Sequence, residues 1–143
     1  MKYRTKKEFE LIDLHDSEIE KIEHHDGNIN IFLAFANLRA EHSANTHGAG
    51  ASIKPCILTF KTIISENARI FNDDKKTFAL HPEPTQPLGN EILEASISKR
   101  DEGVTCYTLK GYHRLGWSEW DIYCHGFELK WDQFDGDAWW VNW

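Results

Sequence analysis

The sequence predicts an all-β, mainly antiparallel protein, and three observations carry that expectation. Apolar residues alternate with period 2 wherever their spacing is clear: Ile29, Ile31, Leu33 and Phe35 interleave with Asn30, Phe32 and Ala34, which places alternate side chains on one face of a strand. Turn-forming residues punctuate such runs at short intervals, at Asp26-Gly27, at Asp101-Glu102-Gly103, and at Gly111, Gly116 and Gly126. No stretch sustains a helical apolar stripe over a convincing length. Short strands broken by turns fit a sandwich, a barrel or a folded meander. The 143 residues match the size of one domain, residues 1–143, large enough to bury a core.

In chain order, the first clear element is a hairpin. Residues 17–25 and 28–36 form two strands joined at Asp26-Gly27, where glycine supplies the positive φ of a tight turn. A rival reading exists for the first of these. Ser17 and Glu20 make S-x-x-E, a capping box, and Ile19 and Ile22 are spaced for a helix face. The strand is favoured because the turn and the clear strand after it need a pairing partner. Asn37 to Ser52 is small, polar and glycine-containing, and Leu80 to Asn90 carries Pro82, Pro84 and Pro87. Both are read as long loops, which in compact domains are often functional. The remaining strands are expected at 55–64, 68–71, 91–98, 104–112, 120–124 and 127–131.

Hydrophobic residues make up 41% of the chain and charged residues 27%, values that exclude disorder and fibrous repeats. The net charge of −7 argues against a nucleic-acid partner, because phosphate binding depends on lysine and arginine. No apolar run approaches the roughly 18 residues of a membrane span, and the first twenty residues lack the apolar core of a signal peptide, so a cytoplasmic location without membrane attachment is expected. Cys56, Cys106 and Cys124 are odd in number, far apart and without a CxxC spacing, which points to buried reduced thiols.

Three sets of residues could carry chemistry. The first is histidine-rich: His15 with Asp16, then His24, His25, His42 and His47. Imidazole and carboxylate are natural ligands for a transition metal. However, His24 and His25 on one strand point to opposite faces, so only one can join His15 and Asp16. In the structural alternative Asp16 caps a turn through its carboxylate and His15 packs at the strand entry. The second set is residues 116–143, which hold all six tryptophans and, against Lys130 alone, the acids Glu119, Asp121, Glu128, Asp132, Asp135 and Asp137. Most of these rings are expected in the core. If Trp139, Val141 and Trp143 share one strand face, Trp140 points the other way and is the ring expected to be partly exposed. The third set is a search for catalytic motifs. There is no GxSxG, HExxH or EF-hand pattern, and Gly48-Ala49-Gly50-Ala51-Ser52 lacks the lysine of a phosphate-binding loop. Asp132, Asp135 and Asp137 could pair as acid and base, but a solvated acidic turn bending at Asp135-Gly136 is the simpler reading. Nothing in the sequence calls for a cofactor.

Two motifs, LHDS at 14–17 leading into an isoleucine-rich hairpin, and W-x-x-F-x-G-x-A-W at Trp131, Phe134, Gly136, Ala138 and Trp139, resemble those of small bacterial proteins of uncharacterised families. Some of these are grouped with the immunity proteins of toxin systems. The resemblance covers both ends of the chain and implies a protein-binding role, with no catalytic residue attached to either motif. The sequence therefore favours a non-catalytic domain that binds a protein with a basic surface, and the resemblance implies an immunity-type inhibitor. Trp140 would be its anchor and Asp132, Asp135 and Asp137 its steering charges. The alternatives are a metal-dependent enzyme or metal-binding domain built on His15, Asp16 and one of His24, His42 or His47, and a carbohydrate-binding module.

Overall fold

Four of the strands expected from the sequence turn out to be two. The computed structural model describes residues 1–143, in the order β1 (Tyr3–Thr5), a 3-10 turn (Phe9–Leu11), β2 (Ile12–Asp13), β3 (Ser17–His25), β4 (Asn28–Leu33), β5 (Ala36–Leu38), β6 (Ala51–Asn72), β7 (Thr77–Leu80), β8 (Glu91–Ile92), β9 (Glu94–Lys99), β10 (Thr105–His113) and β11 (Gly116–Asp137). Strands occupy 62% of the chain and no α-helix forms, so the period-2 reading of the sequence holds. No helix is long and apolar enough to cross a membrane.

β6 and β11 pair antiparallel along nearly their whole length, from Ala51↔Asp137 to Ile70↔Ser118. The pattern that suggested a break in each is a change of phase. On β11 the buried positions run Ser118, Trp120, Ile122 and Cys124, then Phe127, Leu129 and Trp131. The ladder passes from Tyr123↔Ser65 to Cys124↔Ile63, so Ile64 is an extra residue, and two positions earlier Thr62 has φ 57°. A bulge of this kind bends a strand without ending it. Left-handed backbone is costly for a β-branched residue. Here the first hairpin holds it: the Thr62 N–H donates to Asn28 Oδ1 at 2.9 Å and the Ile63 N–H to the Gly27 carbonyl at 2.8 Å.

The main sheet runs β8-β3-β4-β6-β11-β10-β9, with β1 added to β11, β5 and β7 to β6, and β2 to β5. Every pairing is antiparallel. The sheet is not closed into a barrel, but it curls until its ends meet around residues 89–93. Gly89 and Leu93 donate to the carbonyls of Tyr112 and Lys110 on β10, both at 2.9 Å, while Ile92 accepts from Asp16 at 2.8 Å. The concave side holds one cluster of 24 buried residues, among them Ile29, Ile31, Leu33, Leu58, Phe60, Leu109, Trp120 and Trp131. Each such aliphatic or phenyl side chain stabilises the fold by roughly 1.5–3 kcal/mol. Cys56, Cys106 and Cys124 are buried and unpaired, as expected of reduced thiols. Burial pushes Cys56 up to about 12 and Cys124 up to about 11, which keeps both inert near neutral pH.

The hairpin of β3 and β4 pairs His24↔Ile29 and His25↔Asn28 about Asp26-Gly27. Both turn residues are left-handed, with φ 52° and 77°, the geometry of a type I′ turn. The helix-like spacing of Ile19 and Ile22 also has an explanation. Ile19 pairs with Leu33 and Lys21 with Phe32, so Glu20 is a bulge that shifts the inward phase from Ser17 and Ile19 to Ile22. The long loops are residues 39–50 and 81–90. Strands β1, β2, β5 and β7 were not legible in sequence: each has four residues or fewer, and β7 is exposed at every position.

Replacing Gly27 by Val is expected to destabilise the protein by about 1–3 kcal/mol, the cost of forcing a β-branched residue into left-handed backbone. Chemical denaturation checks this; an unchanged midpoint would show that the turn does not hold the bend.

Candidate functional site

The C-terminal tryptophans divide into a buried and an exposed group. Trp120 and Trp131 are fully buried. The Trp120 indole N–H donates to Glu66 Oε1 at 3.0 Å. Trp131 stacks on Tyr3 with 5.6 Å between ring centroids, and Phe134 meets both rings edge-on. Beyond them Gly136 turns the chain with φ 78°, and the buried Ala138 donates its N–H to the Gly50 carbonyl at 2.8 Å. Four of the five residues of the terminal motif are thus fully used in packing or backbone geometry. The fifth, Trp139, is 56% exposed.

The expected strand over 139–143 does not form. The Val141 N–H donates to the Ala138 carbonyl and the Trp143 N–H to that of Trp140, so these residues are successive turns and the alternation argument does not apply. Trp140 is consequently not the most outward ring. It lies half-buried over Gly50, where even a Cβ would come within 2.7 Å of its indole nitrogen, and the Arg39 guanidinium covers it at 5.6 Å. Trp143 is 97% exposed. Trp139 meets Trp140 and Trp143 edge-on at 5.7 and 6.0 Å, so the three indoles form one array with Trp140 as its base. Sequence reasoning missed the outward roles of Trp139 and Trp143, and the only hint was the glycine at position 50 that Trp140 needs.

The acids divide in the same way. Arg69 bridges Asp121 at 2.6 Å and Glu119 at 2.7 Å across neighbouring strands. Glu128, almost fully buried, faces Lys61 at 3.3 Å, Lys130 at 3.8 Å and Arg4 at 3.9 Å. Burial alone would raise the Glu128 pKa, but the hydrogen bond and charge of Lys61, with the charge of Lys130, hold it below its ordinary value. These three acids serve the sheet. The other three lie in the stretch of chain that leads to the exposed tryptophans. Asp132 is exposed and unpaired, Asp135 meets Lys54 at 3.1 Å, and Asp137 meets His47 Nε2 at 2.7 Å and accepts from Asn142 at 3.1 Å. The His47 and Asn142 hydrogen bonds lower the Asp137 pKa, the opposite of what a general acid requires.

The histidines do not converge. His15 Nδ1 bonds the Leu93 carbonyl at 2.6 Å and its Nε2 lies 3.3 Å from Asp16. His24 bonds Glu66. His42 is buried, with Nδ1 accepting from the Ala44 N–H at 3.0 Å and Nε2 donating to the Lys7 carbonyl at 2.9 Å, so both ring nitrogens are engaged. His47 belongs to Asp137. No three His, Cys, Asp or Glu side chains are placed to share a metal ion. The LHDS segment is instead a clasp. Leu14 and Ser17 are buried, and the Asp13 carboxylate, not that of Asp16, caps the turn by accepting the His15 N–H at 2.9 Å. Asp16 has φ 64°, and Ser17 pairs with Ile92. The clasp joins β3 to β8 where the sheet ends meet.

Two histidines that the sequence shows only as dispersed, His81 and His113, are also buried. Each accepts a backbone N–H on Nδ1 from the residue two positions on, as His42 does. This leaves Nε2–H to reach Ser118 Oγ from His81 at 3.1 Å and Glu83 from His113 at 2.6 Å. Because His81 donates to Ser118, that hydroxyl is not poised as a nucleophile.

The arrangement defines an open-sheet β protein with an exposed aromatic array, flanked by carboxylates, on one end of its longest strand pair. Comparison with protein-family models, with curated proteins and with solved structures finds no match.

The Arg69 bridge yields a pH prediction. Burial would raise Glu119, but the hydrogen bonds from Arg69 and Trp117 set it below its ordinary value of 4.5. The stabilisation is therefore complete above that pH and is lost as pH falls through the lower, folded-state value. Arg69→Gln is expected to lower the melting temperature at pH 7 and to flatten its decline below about pH 4.5. Parallel melting profiles of the two proteins would show no bridge contribution.

Proposed function

We propose that this chain is a non-catalytic protein-binding domain whose partner docks on the tryptophan array, and that it acts as an immunity-type inhibitor of a toxin. The carrying observation is the pair of exposed indoles, Trp139 at 56% and Trp143 at 97%, braced by the half-buried Trp140. Large exposed aromatics held in place lose little side-chain freedom on binding and are typical interface hot spots. The resemblance of the two terminal motifs to immunity-type proteins supports the reading, and Trp139 is the motif member left unused by packing. Asp132, Asp135 and Asp137 give the approach a negative rim, which suits a basic active-site cleft and would speed encounter. The engaged histidines leave the metal-enzyme reading without a ligand set, and no observation favours a sugar platform over a protein partner.

Growth of cells producing a toxin with a basic active-site cleft, with and without this chain and its variants, tests the proposal. Trp139→Ala with Trp143→Ala is expected to abolish protection while shifting stability by less than about 0.5 kcal/mol, as surface changes do. Protection undiminished by the double variant, with its melt unchanged, would contradict the assignment.

A further inference from the structure

The net charge of −7 conceals a positive site. A cavity of about 660 Å³ opens between the N-terminal segment and the bend of β6 and β11, and its rim carries Lys6, Lys7, Lys61 and Lys99. Two glutamates share the lining, Glu10 and Glu8, whose carboxylate accepts the Ser43 backbone N–H at 3.0 Å, so the four lysines outnumber the carboxylates there. Lys61 is partly neutralised by Glu128 at 3.3 Å, whereas Lys6, Lys7 and Lys99 form no ion pair. The apolar wall is aromatic. Phe9 meets Tyr107 and Phe127 edge-on at 4.9 and 5.1 Å, and all three are buried side chains that line the space.

We propose that this cavity is a binding site for a small organic anion with a planar apolar body. The volume lies within the range of ligand pockets, roughly 300–1,000 Å³, and combines an apolar wall with a few charged groups as such pockets do. The lysines meet the anionic head, and the phenyl and phenol rings meet the body. Size is limited by the rest of the molecule, because the acidic surface repels an extended polyanion such as a nucleic acid and leaves only what fits within contact of the lysines. The bend that forms the cavity supports the assignment. Thr62, with its left-handed φ of 57°, and Gly126 both stand on its wall, and costly backbone of this sort concentrates at binding sites. No residue after Phe127 lines the cavity, so the site is separate from the tryptophan array and stands or falls independently of the protein-binding reading.

The test is a fluorescence titration of the intact protein with the naphthalene sulfonate dye ANS, an aromatic anion, alongside its uncharged analogue N-phenyl-1-naphthylamine. One site per chain is expected, with the neutral dye binding at least tenfold more weakly. Lys7→Ala with Lys99→Ala should weaken ANS binding tenfold or more. Gly126→Leu, on the cavity wall where a Cβ meets no atom within 4 Å, should weaken binding tenfold or more without displacing the fold. Trp139→Ala with Trp143→Ala should leave binding unchanged, and thermal melts confirm that each variant is folded. No ANS binding, binding indifferent to the lysine and Gly126 variants, or binding lost only with the tryptophans would each overturn the proposal.

Discussion

The rest of the structure depends on the antiparallel pairing of two long strands, Ala51–Asn72 and Gly116–Asp137, and on the bulge near the middle where that ribbon bends. A ladder this long, if straight, would expose one face of its aromatic and aliphatic residues to water. The extra residue Ile64, with the left-handed Thr62 beside it, folds the ribbon so that Phe60, Trp120, Leu129 and Trp131 all belong to one core. The bend has a cost in backbone energy, of order 1–3 kcal/mol for such a residue. That cost is offset locally, because the two N–H groups displaced from the ladder are received by Asn28 and Gly27 in the turn of the first hairpin. Turn and bend are therefore one device. The hairpin cannot be moved or lengthened without leaving two amides near the core edge unpaired.

Both surfaces proposed for binding follow from this ribbon. At one end, Asp137 still pairs with Ala51, and just beyond it the chain turns over the 39–50 loop, which brings Trp140 onto Gly50 and sends Trp139 and Trp143 outward. At the bend, Gly126 and Thr62 form one wall of the lysine-rimmed cavity. Asp137 accordingly lies beside the loop that carries the indoles, and Lys6, Lys7, Lys61 and Lys99 gather at the cavity of the bend. Positive charge is also spent inside the sheet, where Arg69 and Lys61 hold Glu119, Asp121 and Glu128. Those acids count toward the net charge but serve strand pairing and are not presented to a partner.

The fold class was legible in the sequence because alternation and the Asp-Gly turn are local signals. The Ser17–His25 strand was legible against a helical rival because its partner strand was unmistakable. The length of the two central strands was not, since a phase change within a bent strand looks the same as a strand end: buried positions pass from Cys124 to Phe127 while the ladder skips only His125. The site was partly legible. Composition placed tryptophans and carboxylates together at residues 116–143, but which ring faces out depended on turns that alternation does not describe, and so Trp140 and its neighbours exchanged roles. The basic cavity was invisible in sequence, because Lys6, Lys61, Lys99 and Phe127 come from four distant segments and become neighbours only through the bend.

Native-state hydrogen exchange resolved to single amides tests the central claim most directly. If the bent ribbon is the structural spine, the amides of 56–60 and 127–131 exchange only through global unfolding, and the Thr62 and Ile63 amides, held by the hairpin turn, are protected well above the edge strands at 77–80 and 94–99. Exchange at Thr62 and Ile63 as fast as in those edge strands, with the two halves of each long strand opening independently, would contradict it.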